Sequence, residues 1–226
     1  MKWFTAALSV LAMLAPTVAS AHPHIWISQH VRVIVDGGKI THFELEWRFD
    51  PDSSEGEISA IDEDDDGKIS MIETKSLADD MLPELKKVGF QTWLNTGAKD
   101  FHPIDIPTLV ARIDDPASFM PPDWDHNDGD EKAGKGDAGM PMPENKQVKQ
   151  PEPHSPRNLV YVMRFALAQP TKVLSIVTYD SEDFIRFEVD KASLPKQCTL
   201  DKHPTYKSEF VPGKPVFADR VSCKLP

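Results

Sequence analysis

Apolar residues alternate with polar ones over the first part of the chain. From Ile25 to Val35, the residues Ile25, Ile27, Val31, Val33 and Val35 fall on one parity, and from Thr41 to Phe49 so do Phe43, Leu45, Trp47 and Phe49. A period of two marks half-buried strands. Asp36-Gly37-Gly38 between them supplies a turn whose glycines accept positive φ, so the pair is predicted to form a hairpin. After Asp50-Pro51 the period changes to that of a helix. A short helix over Ser53 to Ile61 leads into an acidic loop, and a longer helix follows in which Leu77, Met81, Leu85 and Val88 share one face. Pro83 lies inside it and is expected to kink or end it nearby. Strand-like segments resume at Phe90 to Leu94, Thr108 to Ile113, Leu159 to Ala168, Val173 to Tyr179 and Phe184 to Val189, with two weaker ones near Cys198 and Cys223. The predicted class is α+β: a mostly antiparallel, sandwich-like β domain with a helix-loop-helix inserted at about residues 53–88.

Between Asp114 and Arg157 the pattern disappears. Pro, Gly, Asp and Lys dominate and aliphatic residues are almost absent after Phe119. Such a stretch cannot bury enough apolar surface to offset its ordering entropy, so residues 114–157 are expected to be a disordered insertion joining two strands of one domain. That domain would consist of residues 22–113 and 158–226.

Residues 1–21 have the layout of a secretory signal peptide: Lys2, an apolar run from Trp3 to Leu14, and small residues at Ala19-Ser20-Ala21. The run is too short for a permanent span and no second stretch of membrane length follows, so no stable membrane insertion is expected after cleavage. A periplasmic location follows as an expectation. The formal charge is -11. An acidic chain repels nucleic acid and gathers cations. Cys198 and Cys223 are the sole cysteines. In an oxidising compartment a disulfide between them is the default, against two free thiols or a thiolate metal site that no CxxC spacing supports.

The sharpest chemical signal is the run from Asp62 to Glu73. Calcium is a hard cation that takes six to eight oxygens, and an EF-hand-type loop presents them at fixed positions. Here Asp62, Asp64 and Asp66 offer carboxylates, Lys68 its carbonyl, Ser70 a water-bridged contact and Glu73 two oxygens, with Gly67 at the sharp bend. No second loop of this kind is present for Ile69 to pair with, so Ile69 must pack elsewhere. The alternative is a solvated acidic turn.

Cleavage after Ala21 would make His22-Pro23-His24 the new amino terminus. Its α-amine and the His22 and His24 imidazoles suit nickel, cobalt, copper or zinc. Pro23 lacks the backbone N–H that a square-planar amino-terminal copper or nickel site deprotonates, which excludes that geometry. The alternative is a frayed terminus with exposed histidines. His30 and His42 lie on the polar parity of the first hairpin as further candidates or surface residues. His126 and His154, with Met140 and Met142, make the insertion resemble either a metal-collecting tether or a plain solubilising linker.

The set His22-Pro23-His24-Ile25-Trp26-Ile27, Glu46-Trp47-Arg48-Phe49-Asp50, the acidic loop, and Thr178-Tyr179-Asp180 followed by Phe184 resembles a periplasmic family catalogued as domain of unknown function 1007. The resemblance covers the mature chain apart from the insertion. It implies an accessory role in transition-metal transport, beside nickel/cobalt-type exporters and with an inner-membrane metal transporter as partner. His22 and His24 match the family's opening pair, Asp180 its Tyr-Asp motif, and Asp62, Asp64, Asp66 and Glu73 its acidic loop. Asp180 would approach the amino terminus if strand Val173 to Tyr179 paired with the first strand across one sheet. Otherwise it reads as an Asx-type turn residue.

The expected function is therefore that of a periplasmic metal-binding accessory protein with one structural calcium ion and a transition ion at His22, His24 and Asp180. One alternative is a copper oxidase or monooxygenase using an amino-terminal histidine. It needs a substrate surface, and no exposed aromatic platform is legible in the sequence. The other alternative is a calcium-stabilised interaction domain whose terminal histidines bind nothing.

Overall fold

The structure, a computed structural model, describes residues 25–121, 155–211 and 213–226. Nine strands form two sheets. Strands β1 (Ile25–Asp36), β2 (Lys39–Phe49), β4 (Thr108–Asp114), β5 (Asn158–Thr171) and β7 (Ile185–Val189) make a five-stranded sheet in the order β4-β5-β2-β1-β7. Strands β3 (Thr92–Asn95), β6 (Val173–Thr178), β8 (Cys198–Val211) and β9 (Lys214–Lys224) make a four-stranded sheet in the order β3-β6-β9-β8. All pairings are antiparallel except β1 with β7. The sandwich expectation holds at this level.

The inner faces share one core. Phe43, Leu45, Trp47 and Phe49 of β2 are buried as their parity requires, and they meet Leu159, Tyr161, Met163 and Phe165 of β5 and Leu174 and Ile176 of β6. Gln29 is a polar residue at an inward position of β1, 1% exposed. Val35 is 43% exposed, past the register shift between Ile34 and Val35 at the turn end of the hairpin.

Two helices follow β2. In α1 (Pro51–Ile61) the buried residues Pro51, Ser54, Ile58 and Ile61 line one face. Asp50 caps it, its carboxylate accepting the Ser53 N–H at 2.8 Å. The helix is locked to β5 where the Ser54 hydroxyl accepts the Leu159 N–H at 2.8 Å. Helix α2 (Met71–Lys87) lies beside β4. It carries Pro83 in its interior and continues to Lys87, so it does not end at the proline. A proline there forfeits one backbone bond, but Leu82 is buried beside it and Leu77, Ala78, Met81 and Leu85 pack on the core, which holds the helix through the defect. Val88, expected on that face, is 53% exposed because the helix ends one residue before it.

Other boundaries move for stated reasons. The strand expected from Phe90 begins at Thr92. Gly89, Phe90 and Gln91 have φ of 62°, 55° and 49°, a left-handed turn that cannot extend a strand. Gly89 is required twice there, by its φ and because a Cβ would lie 2.2 Å from His102 Nδ1. The weak segments near Cys198 and Cys223 are a long hairpin, β8 with β9. The two cysteines face each other in its register and are disulfide-bonded.

Part of the stretch expected to be disordered is structured: Asp114 belongs to β4, and Ser118 and Phe119 are held by the buried Asn158 amide. Asn158 Oδ1 accepts the Ser118 and Phe119 N–H groups at 2.6 and 2.7 Å, and Nδ2 donates to Phe49 O and Phe119 O at 2.9 Å each. A search for apolar residues does not see a polar anchor. Strands β4 and β5, which flank residues 122–154, pair directly, Asp114 opposite Asn158. His22, His24, His126, His154, Met140 and Met142 lie outside the described residues.

Candidate functional site

The acidic loop joins α1 to α2, and its backbone is curled by its own side chains. Asp62, 8% exposed, accepts the Asp66 N–H at 3.0 Å and the Gly67 N–H at 2.8 Å. Asp66 accepts the Lys68 N–H at 2.8 Å. Gly67 takes φ of 79°, a value that favours glycine. One carboxylate oxygen from each of Asp62, Asp64 and Asp66 comes within 4.8 Å of the others. Repulsion from Asp66 is the largest influence on Asp64 and pushes its carboxyl above the usual range. Three like charges drawn this close favour a divalent cation between them.

Glu73 stands outside that trio. It is buried at the first turn of α2, with Oε1 accepting the Glu63 N–H at 2.8 Å and Oε2 the Ser70 N–H at 2.7 Å. The Ser70 hydroxyl returns the bond from Glu73 N–H, which completes a capping box. The Ser70 backbone bond, first of all, holds the Glu73 carboxyl below its ordinary value. Each oxygen keeps a lone pair after accepting one N–H. The donor set is therefore hard oxygen throughout and fits calcium: Asp62, Asp64, Asp66 and Glu73 would hold it, and what it supplies is charge neutralisation that ties α1 to α2. Ile69 packs against the main core, which answers where this unpaired loop residue goes.

The second candidate lies at the start of β1. Asp50 and Asp180 are buried there, and both work on backbone. Asp50 Oδ2 accepts the Trp26 N–H at 2.7 Å while the Asp50 N–H donates to Trp26 O at 2.8 Å. Asp180 accepts N–H groups from Glu182 at 3.0 Å, Phe184 at 2.9 Å and Ile185 at 2.8 Å, the Asx-type turn. Ile185 is the register partner of Ile25, so Asp180 stands near the first described residue. The route differs from the expected one: β6 lies in the other sheet, and β7 makes the connection. Asp50 was not singled out as a site residue, although an Asp before Pro at a helix start is a legible capping signal. Together the two aspartates brace the first described residues of β1.

His30 is held between carboxylates, with Nε2 3.1 Å from Asp190 Oδ2 and Nδ1 3.5 Å from Glu46 Oε1. Burial, then the charge of Arg48, outweighs these carboxylates and lowers its pKa from 6.5. Burial acts to raise the pKa of Glu46, but the Arg48 hydrogen bond and the Arg112 charge outweigh it and hold the group low. Because the folded His30 pKa is depressed, its contribution to stability is full above about pH 6.5 and is lost as pH falls through the folded value. Urea denaturation should therefore show a stability loss as the pH falls below about 6.5 that is smaller in His30→Gln. An equal slope in the variant would remove His30 as the cause. His42 Nδ1 is 3.0 Å from Thr41 Oγ1, at the far end of β2 from Asp50.

The outer face of the four-stranded sheet carries a feature that is not legible in the sequence. Trp93, Tyr179, Tyr206, His102 and His203 meet there as a connected aromatic cluster, with neighbouring ring centroids 4.2–5.8 Å apart. These residues are scattered in sequence, so no local pattern announces the platform.

No helix among the described residues is long and apolar enough to cross a membrane. No curated protein and no solved structure matches the chain. The profile of the family described as "Protein of unknown function (DUF1007)" matches residues 7–211, up to the end of β8. The chain belongs to that family.

Proposed function

We propose that this chain is a periplasmic metal-binding accessory protein of a transition-metal transport system, with one structural calcium ion in an EF-hand-type loop. The observation that carries the reading is the convergence of Asp62, Asp64 and Asp66 on a backbone already bent to receive a cation. A transition ion, nickel or cobalt first and zinc or copper otherwise, would be taken by the His22 α-amine and imidazole and by His24. The ion would be passed to or reported to an inner-membrane transporter. The rigid arrival of β1, fixed by Asp50 and Asp180, supports this by giving the terminus a defined starting point.

The mature protein should take up nickel, cobalt, copper or zinc in calorimetry, and one extra residue ahead of His22 should weaken that uptake at least about tenfold. Calcium heat should be unaffected. If only calcium gives heat, the calcium-stabilised interaction domain is the better reading. The aromatic cluster favours a second reading, a copper oxidase or monooxygenase, since it supplies the substrate surface such chemistry needs. Sustained peroxide production by the copper-loaded protein with a reductant would select it.

A further inference from the structure

The aromatic cluster is built, and nothing in the metal reading uses it. Trp93 on β3, Tyr179 just past β6, and His203 and Tyr206 on β8 are all half-buried on one sheet face. Their polar atoms are spoken for. Tyr179 Oη donates to Lys207 O at 2.7 Å, and Tyr206 Oη donates to Asp100 Oδ2 at 3.1 Å. His203 Nδ1 accepts N–H groups from Thr205 and Tyr206 at 3.3 and 3.1 Å. The rings are thus immobilised, which removes the ordering cost a ligand would otherwise impose.

Trp93 walls two adjoining hollows. The larger, about 510 Å³, runs past Gln91, His102 and Tyr179, and the smaller, about 190 Å³, past Asn95, Asp100 and Arg220. The larger falls within the size range of small-ligand sites. One further feature marks it. The left-handed run at Gly89, Phe90 and Gln91 stores backbone strain at its rim.

The occupant must be flat and apolar on its faces, rich in hydroxyls at its rim and without net negative charge. Polyanions are opposed by the formal charge of -11. An added peptide strand needs a free sheet edge, and of the edge strands β3 and β8 that carry the rings, β3 is already bridged by Phe101 at Leu94. A pyranose ring meets every requirement: its C–H faces stack on aromatic faces, whose quadrupole presents negative charge. Asn95 Oδ1 and the two Asp100 oxygens each accept one hydrogen bond, from Gly97, Asn95 and Tyr206, and keep a lone pair, while Arg220 gives two of its five N–H groups to Asp201, so the three retain capacity toward neighbouring hydroxyls. We infer that the sheet face around Trp93 binds a neutral oligosaccharide, with a sugar ring on the indole and its hydroxyls directed to Asn95, Asp100 and Arg220.

This goes beyond the metal reading and is independent of it. The test is calorimetry of the mature chain with chitotriose, maltotriose and cellotriose, and with heparin as the anionic probe. At least one neutral trisaccharide should bind with Kd of about 1 mM or tighter, heparin should not, and Trp93→Ala should weaken binding about tenfold or more. Should Trp93→Ala fold poorly, Asn95→Ala at the exposed rim must show the loss instead, with calcium binding intact in the same sample. The proposal is overturned if none of the three sugars binds, if heparin binds in their place, or if folded Trp93→Ala and Asn95→Ala both bind like wild type.

Discussion

Replacing Phe165 by alanine lowers the stability of this protein by about 3–5 kcal/mol, the range for emptying an aromatic site in a packed core. Phe165 is 1% exposed on β5, the strand that β4 and β2 flank. Its ring stacks on Phe43 with centroids 4.8 Å apart and planes 5° apart, and it takes the edge of Phe90 at 5.3 Å and 78°. Such aromatic pairs add about 0.5–1.5 kcal/mol to the area buried. The second contact matters beyond the core. Phe90 sits at φ of 55°, a conformation a phenylalanine holds only when its surroundings insist. Urea denaturation should show a lower midpoint with an unchanged slope, and Phe165→Leu should recover more than half of the loss. A loss under about 1 kcal/mol in Phe165→Ala would mean that the two sheets do not close on this residue.

Calcium at about 10 mM raises the melting temperature by about 5–10 °C, and Glu73→Gln abolishes the rise. The size follows from linkage. A lone extracellular loop of this type binds with Kd near about 10⁻⁴ M, a hundredfold excess over Kd stabilises by about 2.7 kcal/mol, and a chain of this size gains about 2–4 °C per kcal/mol. Glutamine offers one acceptor where Glu73 uses two, for the Glu63 and Ser70 N–H groups, so the variant loses both a charge and half of the bracket that joins loop to helix. Differential scanning calorimetry in calcium and in chelator measures both effects. A calcium shift of equal size in wild type and Glu73→Gln would place the ion elsewhere, and no shift in wild type would reduce the loop to an acidic turn.

How far the sequence could be read depended on whether the signal was local. The first hairpin was legible because Phe43, Leu45, Trp47 and Phe49 keep one parity, and parity is fixed by the pleat alone. The acidic turn between the two helices was legible because Asp62, Asp64, Asp66 and Gly67 lie close together in the sequence. Pro83 misled because a local rule about helix termination was outweighed by burial of Leu82, a contact made with distant chain. Asp114 to Pro121 misled in the opposite sense, since a single buried amide, Asn158, supplies the order that apolar content could not. Asp180 was noticed for its motif, but its partners Phe184 and Ile185, and through them Ile25, needed the parallel pairing of β1 with β7.

The sequence by itself determined the β-rich class, the helix-loop-helix after the second strand, the pairing of Cys198 with Cys223 and the family. Each of these is carried by spacing along the chain or by there being one choice. Only the tertiary structure decided which strands share a sheet, that Asp50 and Asp180 brace the same end of β1, and that Trp93, Tyr179, His203 and Tyr206 form one surface. Those depend on the packing of segments far apart in sequence, where burial and hydrogen bonding summed over the whole core override any local preference.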